Sequence, residues 1–501
     1  MSELLKVGVS EEKSDEARTS FLVGAVAVSN MIKSTLGPRG MLKLLYTETG
    51  EPILSNDGAT ILKHIAPNGP SAKILIDSAK EHGEKEGDGT TTLTVLTGEL
   101  LQEADRLIFK GAHPSKIIRS YRKAHEEAMR ILREIGEKCR TEEEKLSLAK
   151  STLSSKFSPV ELESLAKLAV AVSEKATDIE MVNFVKIAEG EVSSSYVEEG
   201  ILLECDIGPG QKTEMDSPRV LVVNTAMDTD KVKIFGAKAS VTSPKELEEL
   251  ENAERKKMAK KVEEIAAHAD IIINRQIIYD YPTQEFTKRG KISIERADFS
   301  GIEMVSKVLN AKVLSTFDNV QKEDVGECGR FERVKISNRV FSRFLGVPNK
   351  GACTVVVKGP SKEILEEAAR SLVGAVKVLM NTSEEYVYGG GSAEAAVALR
   401  LKGETEGERA YGRALLEVTR TLAENAGHSP DGILDEIMRR HREGQHTYGV
   451  GIDEASCMRE KNVRESLRLK EIIWTKASET AEMLLRCDGI IRHKPRERLR
   501  E

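Results

Sequence analysis

Aromatic residues are scarce in this chain: Phe, Tyr and Trp together make up 4% of it. Strand propensity and sheet packing draw heavily on such side chains, so an all-β architecture is disfavoured. Charge of a single sign is also missing, since 81 acidic and 75 basic residues are mixed along the sequence and leave a net charge of -6. Without a basic stripe to follow a phosphate backbone, nucleic acid is a poor candidate partner. The richest basic stretch, Arg492 to Arg500, is broken by Glu497 and is expected to be a solvated tail. Six cysteines (Cys139, Cys205, Cys328, Cys353, Cys457 and Cys487) lie far apart with no C-x-x-C pair. That spacing argues against zinc and dithiol chemistry and predicts reduced, mostly buried, small apolar residues. No basic-then-apolar leader opens the chain, and no uncharged apolar run reaches about 18 residues. The expectation is a soluble, cytosolic protein with no membrane partner.

What is present is length, charge and helical periodicity. At 501 residues, 40% hydrophobic and 31% charged, the chain has room for about three helix-rich domains with charged surfaces. The N-terminal 135 residues read as long helices joined by glycine-bearing loops, with Phe21, Ala25, Val28 and Ile32 on one apolar stripe and Leu93, Leu96, Leu100 and Leu107 on another. From about residue 200 the pattern changes to short β-branched runs, Val220–Val223 and Ile271–Ile273, separated by a charged helical stretch from Pro244 to about His268. This alternation predicts an α/β insert. In the charged stretch Leu247, Leu250, Met258, Val262 and Ile265 give a sparse apolar face, which suits a projecting helix or an ordinary charged surface helix. A strand at Thr354–Val357 then leads to a helix around Ile364 to Met380 and to a second helical region that runs to the end. Because the two ends resemble each other more than the middle, one helical domain assembled from both termini is expected.

Three glycine-bearing loops point to phosphate binding, because glycine permits close backbone approach and free N–H groups at a helix N-terminus attract anions. Gly87-Asp88-Gly89 followed by Thr90, Thr91 and Thr92 offers backbone donors, three hydroxyls and one carboxylate at a single helix entrance. A carboxylate beside phosphates makes sense chiefly with a hard divalent cation between them; the alternative for Asp88 is an N-cap. Asn56-Asp57-Gly58 alone is a common turn, and Gly389-Gly390-Gly391 alone favours tight packing slightly over approach to a nucleoside. The P-loop and dinucleotide fingerprints are absent, as are the zincin, serine-hydrolase and protein-kinase signatures. His441 and His446 are expected on a solvated helix end rather than around a metal.

Taken together, Leu36-Gly37-Pro38, Asn56-Asp57-Gly58-Ala59-Thr60, Gly87-Asp88-Gly89-Thr90-Thr91 and Gly389-Gly390-Gly391 occur in the order and spacing of the group II chaperonins. The resemblance covers nearly the whole chain, and the segments 224–236 and 274–279 extend it toward the eukaryotic cytosolic members. It implies an α+β multidomain chaperonin fold. A mostly helical equatorial ATP-binding domain would come from 1–135 and 389–501, a small α/β intermediate hinge domain from 136–200 and 354–388, and an α/β apical domain with a helical lid protrusion from 201–353. It also implies ATP and Mg2+ as cofactors, paralogous chaperonin subunits as partners in a hetero-oligomeric double ring, and non-native polypeptides such as actin and tubulin as clients.

Carried over residue by residue, the resemblance gives Asp88 to magnesium, Gly37, Gly89, Thr90, Thr91 and Thr92 to the phosphates, and Asp57 to orienting the attacking water. Ser154, Ser155 and Lys156 match the loop whose lysine senses the γ-phosphate, and Gly390, Glu465 and Lys470 match positions around the nucleoside. Two departures stand out. Gly374 occupies the place of the family's water-activating aspartate, a loss that typically costs about 10²- to 10⁴-fold in rate. Glycine within a helix also costs about 1 kcal/mol relative to alanine, so helix stability does not explain it. Cys457-Met458 replaces the family's Asp-Met after Gly451-Ile452-Asp453.

Overall fold

The computed structural model describes residues 9–46, 50, 52–65, 67, 69–154, 156–228, 244–382 and 385–493. Ser155, part of the 224–236 segment, the side chains of Leu247 and Leu250 and the tail from 494 onward lie outside the described residues. The helices are α1 Ser14–Lys33, α2 Gly58–His64, α3 Pro70–Glu86, α4 Thr90–Phe109, α5 Pro114–Glu134, α6 Glu142–Leu153, α7 Pro159–Lys175, α8 Pro244–His268, α9 Asp280–Lys288, α10 Phe299–Leu309, α11 Lys362–Asn381, α12 Ser392–Arg400, α13 Glu406–Ala426, α14 Pro430–Arg442 and α15 Leu467–Leu485. None is long and apolar enough to cross a membrane.

Two compact units divide the chain: unit 1 takes 1–170 and 370–501, and unit 2 takes 171–369. Unit 1 is thus built from both ends, and its strands Val9–Lys13 and Gly489–His493 pair antiparallel. Arg492 therefore belongs to a strand and not to a solvated tail, because the N-terminal strand gives its backbone a partner. The apolar stripes face one core: Ala25, Ile32, Leu93, Leu96 and Leu100 are fully buried together with Tyr411 and Trp474. Each such leucine contributes roughly 1.5–3 kcal/mol over exposure. Pro114 at the start of α5 needs no N–H partner, and His113 Nδ1 accepts from Ser115 N at 3.2 Å to cap that helix.

In unit 2, Ile292–Ile294, Ile271–Asn274, Arg219–Val223 and Val313–Leu314 form a parallel sheet with Ile271 opposite both Val220 and Ile292. These β-branched runs are buried on both faces, as a parallel sheet covered by helices requires. An antiparallel sheet of Ile201–Leu203, Arg339–Leu345, Arg330–Ile336 and Glu214–Asp216 accompanies it. The second half of α8 is seated firmly, with Met258, Val262 and Ile265 packed on Leu221, Val223 and Ile272, while residues 251–257 are all exposed.

Two further expectations differ from the structure. Only Cys328 and Cys353 are buried; the other four free cysteines are partly exposed, Cys139, Cys205 and Cys487 because they pack only against the edge of a core. His441 is not on a solvated helix end but 1% exposed, because Tyr448–Val450 folds back over α14 and the Tyr448 carbonyl oxygen accepts from His441 Nε2 at 2.7 Å.

Candidate functional site

Unit 1 contains a cavity of about 750 Å3. Gly37, Asp57, Asp88, Gly89, Thr90, Thr91, Thr92, Ser154, Lys156, Gly390, Glu465 and Lys470 all line it, although they are spread over more than 430 positions of sequence. The folding of both chain ends into one core brings them together.

The Asp88 turn is built by its two glycines. Gly87 closes α3 and Gly89 opens α4, both at φ 84°, in the left-handed region that penalises any side chain. A Cβ on Gly89 would also run into Ile473. Between them Asp88 accepts from Gly89 N at 2.7 Å. Burial pushes its carboxyl up to about 6, the Glu465 and Asp57 carboxylates adding to the shift while the Gly89 N–H and Lys156 oppose it. The first N–H groups of the 20-residue α4 open at the same place, a favourable environment for an anion.

Asp57 is held differently. It caps α2 by accepting from Thr60 N at 2.9 Å and from Thr60 Oγ1 at 2.8 Å, and its Oδ1 lies 3.5 Å from Lys156 Nζ. Burial works to raise its carboxyl, but Lys156, Thr60 and Arg370 outweigh burial and hold it below the usual carboxylate range. Of the two aspartates at these turns, one is therefore held below the usual carboxylate range and the other is pushed above it.

At the other end, Lys470 is buried and donates to Glu394 Oε1 at 2.7 Å, with Glu465 as its second partner. Burial alone would depress this ammonium; Glu394 and Glu465 hold it above the usual lysine value instead. Sequence reasoning missed Glu394. Its signal is a lone acid in the apolar run Ala393–Val397 directly after the glycines. Ser154 Oγ donates to the Ser151 carbonyl oxygen at 3.0 Å, and Val450 N to the Gly390 oxygen at 2.8 Å, so these two loops form wall.

Gly374 is not part of the cavity lining. It lies on α11 against the Asp88 turn, where a Cβ would come 2.6 Å from the Gly87 carbonyl oxygen, and a Cβ on Gly87 would come 2.9 Å from Gly374 Cα. Glycine at both positions is what lets the helix backbone touch the loop backbone. Lys377 Nζ donating to the Glu84 oxygen, and Asn381 Nδ2 to the Lys85 oxygen at 3.4 Å, fasten α11 to the end of α3.

Comparison with known proteins agrees with this architecture. Residues 28–495 match the model of the TCP-1/cpn60 chaperonin family. The T-complex protein 1 subunit beta of Encephalitozoon cuniculi is 40% identical, covering 99% of this chain and 98% of its own length. The subunit beta proteins of Saccharomyces cerevisiae (39% identical, 97% of each chain) and Homo sapiens (37%, 99% of this chain and 97% of that one) are similar to the same extent. A match over this length, on a chain whose two ends close around one glycine-lined cavity, means that the protein belongs to the TCP-1/cpn60 chaperonin family.

Proposed function

We propose that this chain is an Mg-ATP-binding subunit of a cytosolic, hetero-oligomeric double-ring chaperonin, with paralogous subunits as neighbours and non-native polypeptides such as actin and tubulin as clients. In this reading 1–135 and 389–501 form the equatorial domain, 136–200 and 354–388 the intermediate hinge domain, and 201–353 the apical domain with α8 in its lid region.

The observation that carries it is the Asp88 turn. Its partly buried carboxyl faces Asp57 and Glu465 repulsion and has Lys156 as a cationic neighbour. No protein-only cluster of three metal-ligating side chains exists among the described residues. One carboxylate beside a helix N-terminus suits Mg2+, which prefers one or two carboxylates plus phosphate oxygens to an all-protein cage. When bound, Mg2+ neutralises phosphate charge and ATP supplies the free energy of ring closure. The chain's own part is to hold the phosphates with the N–H groups and hydroxyls of Thr90, Thr91 and Thr92, to keep Asp57 ionised so that it orients water, and to place Lys156 at the γ-phosphate. Titration of Mg-ATP into Asp88→Ala tests this: binding is expected to be lost, and wild-type affinity would refute the assignment.

Gly374 favours a second reading, a subunit that binds ATP but hydrolyses it poorly. The carboxylate is absent, and the Gly87 contact leaves no room for one in this arrangement. Asp57→Ala introduced into this subunit of the assembled ring separates the two: unchanged ring turnover supports the hydrolysis-poor subunit, and a fall supports the active one.

A further inference from the structure

Unit 1 holds a second cavity, of about 600 Å3, behind the hairpin of Tyr448–Val450 and Ala455–Cys457. Val450 and Met458 line the first cavity, whereas Tyr448, Cys457 and Arg459 line the second. The hairpin is their common wall.

The charges around the second cavity are unevenly matched. Glu137 is occupied by Arg459, Tyr386 and Tyr388, and Glu134 by Arg130. Glu460 is exposed at the rim, where water screens it. Arg400, the last residue of α12, is half-buried and has no hydrogen-bond or carboxylate partner among the described residues. What stands beside it is imidazole. His446 lines the cavity with a buried Nδ1 that has no partner, and its ring meets buried His441 edge-on with centroids 5.8 Å apart. His441 Nδ1 is likewise buried and unpartnered. Burial first lowers both imidazoles; the Arg400 charge adds to it at His446, and His446 and then Arg400 add to it at His441 against the bond to the Tyr448 oxygen, so neither ring offers Arg400 any relief.

Buried polar groups in native proteins have partners, and a partly desolvated charge needs one most. Ordered water can satisfy an imidazole nitrogen, but it does not neutralise a guanidinium. The fork of N–H donors on arginine matches the paired oxygens of a phosphate or a carboxylate. We propose that this cavity binds a small organic or inorganic anion, held by the Arg400 guanidinium with an N–H of His446 as second donor. Tyr448 and Ser392 complete the wall on either side.

Cys457 provides the test, since it lines the cavity and is partly exposed. Alkylation of the full-length chain by iodoacetamide is followed at the Cys457 peptide by mass spectrometry, with Cys139, outside the cavity lining, as internal reference. Inorganic phosphate and citrate are the probes, each compared with chloride at equal ionic strength and with and without saturating Mg-ADP. One probe or both should slow Cys457 alone, phosphate ahead of citrate if the ligand is phosphorylated and the reverse if it is a carboxylate. In Arg400→Gln the half-protecting concentration should rise about tenfold, with Arg400→Lys between. Absence of protection by either probe would overturn the proposal, as would wild-type protection in Arg400→Gln or protection that vanishes when Mg-ADP fills the first cavity. Because the Arg400 side chain holds no bond among the described residues, both variants should melt as the wild type does. A lowered melting temperature in both would reveal a structural partner and overturn it as well.

Discussion

Two aspartate turns, Asn56-Asp57-Gly58 and Gly87-Asp88-Gly89, open helices into the same cavity, yet their carboxyls are shifted in opposite directions. Asp57 accepts two bonds from Thr60 and faces Lys156, which keeps it ionised. Burial pushes Asp88 up to about 6, with the Glu465 and Asp57 carboxylates adding to it, and the single bond from the adjacent N–H together with Lys156 does not offset that. Similar local sequence thus gives a committed structural acid in one turn and a frustrated one in the other. A carboxyl strained in this way is relieved by a proton or by a cation, which is why the proposed magnesium site is placed at this turn and not at the other.

The largest expected effect on that contrast is in binding. Asp88→Ala should weaken Mg-ATP affinity on the order of 100-fold or more, since the proposed magnesium ligand is removed, whereas magnesium-free ATP should lose much less. Isothermal titration with and without magnesium measures both. Next comes apo stability. A folded pKa raised from 3.8 to about 6 means that the protonated form is favoured on folding, so this group costs nothing below about pH 4. Stability is then lost as pH rises through 6, by up to roughly 3 kcal/mol. Asp88→Asn should remove that loss, so the ligand-free variant should be more stable than wild type in urea at pH 7.5 and nearly equal to it at pH 4.

Gly374→Ala sets two effects against each other. Helix propensity favours alanine by about 1 kcal/mol, and contact with the Gly87 carbonyl opposes it by about 1–3 kcal/mol. Net destabilisation is expected in chemical denaturation, and a stabilised variant would mean that α11 does not rest on the turn. The smallest effect is at Asp57. Its pKa is lowered, so it contributes stability above about pH 4 that fades as pH falls through its folded value. Asp57→Asn keeps a capping oxygen but loses the charge, and should cost about 1 kcal/mol at neutral pH, opposite in sign to Asp88→Asn.

Much of this was legible in the sequence. The stripe Leu93, Leu96, Leu100 reported a helix because period 3.6 leaves one face to bury, and Val220–Val223 and Ile271–Ile273 reported covered strands because both faces are apolar. Gly87 and Gly89 betrayed a turn that only glycine enters easily. His441 misled, since polarity at a helix end says nothing of a hairpin returning over it. Glu394 was invisible as the partner of Lys470, 76 positions away. Gly374 read only as a missing carboxylate, because its contact with Gly87 spans two distant segments of chain.

Local chemistry, then, determined which segments are helices, which strands, and which turns can approach a phosphate, since those depend on periodicity and on glycine at particular bonds. Only the tertiary structure decided that Asp57 is held ionised while Asp88 is pushed up to about 6, that Lys470 is tied to Glu394, and that Arg400 has no carboxylate partner among the described residues. A carboxyl's state is set by burial and by the charges that surround it, and most of those neighbours arrive from elsewhere in the chain.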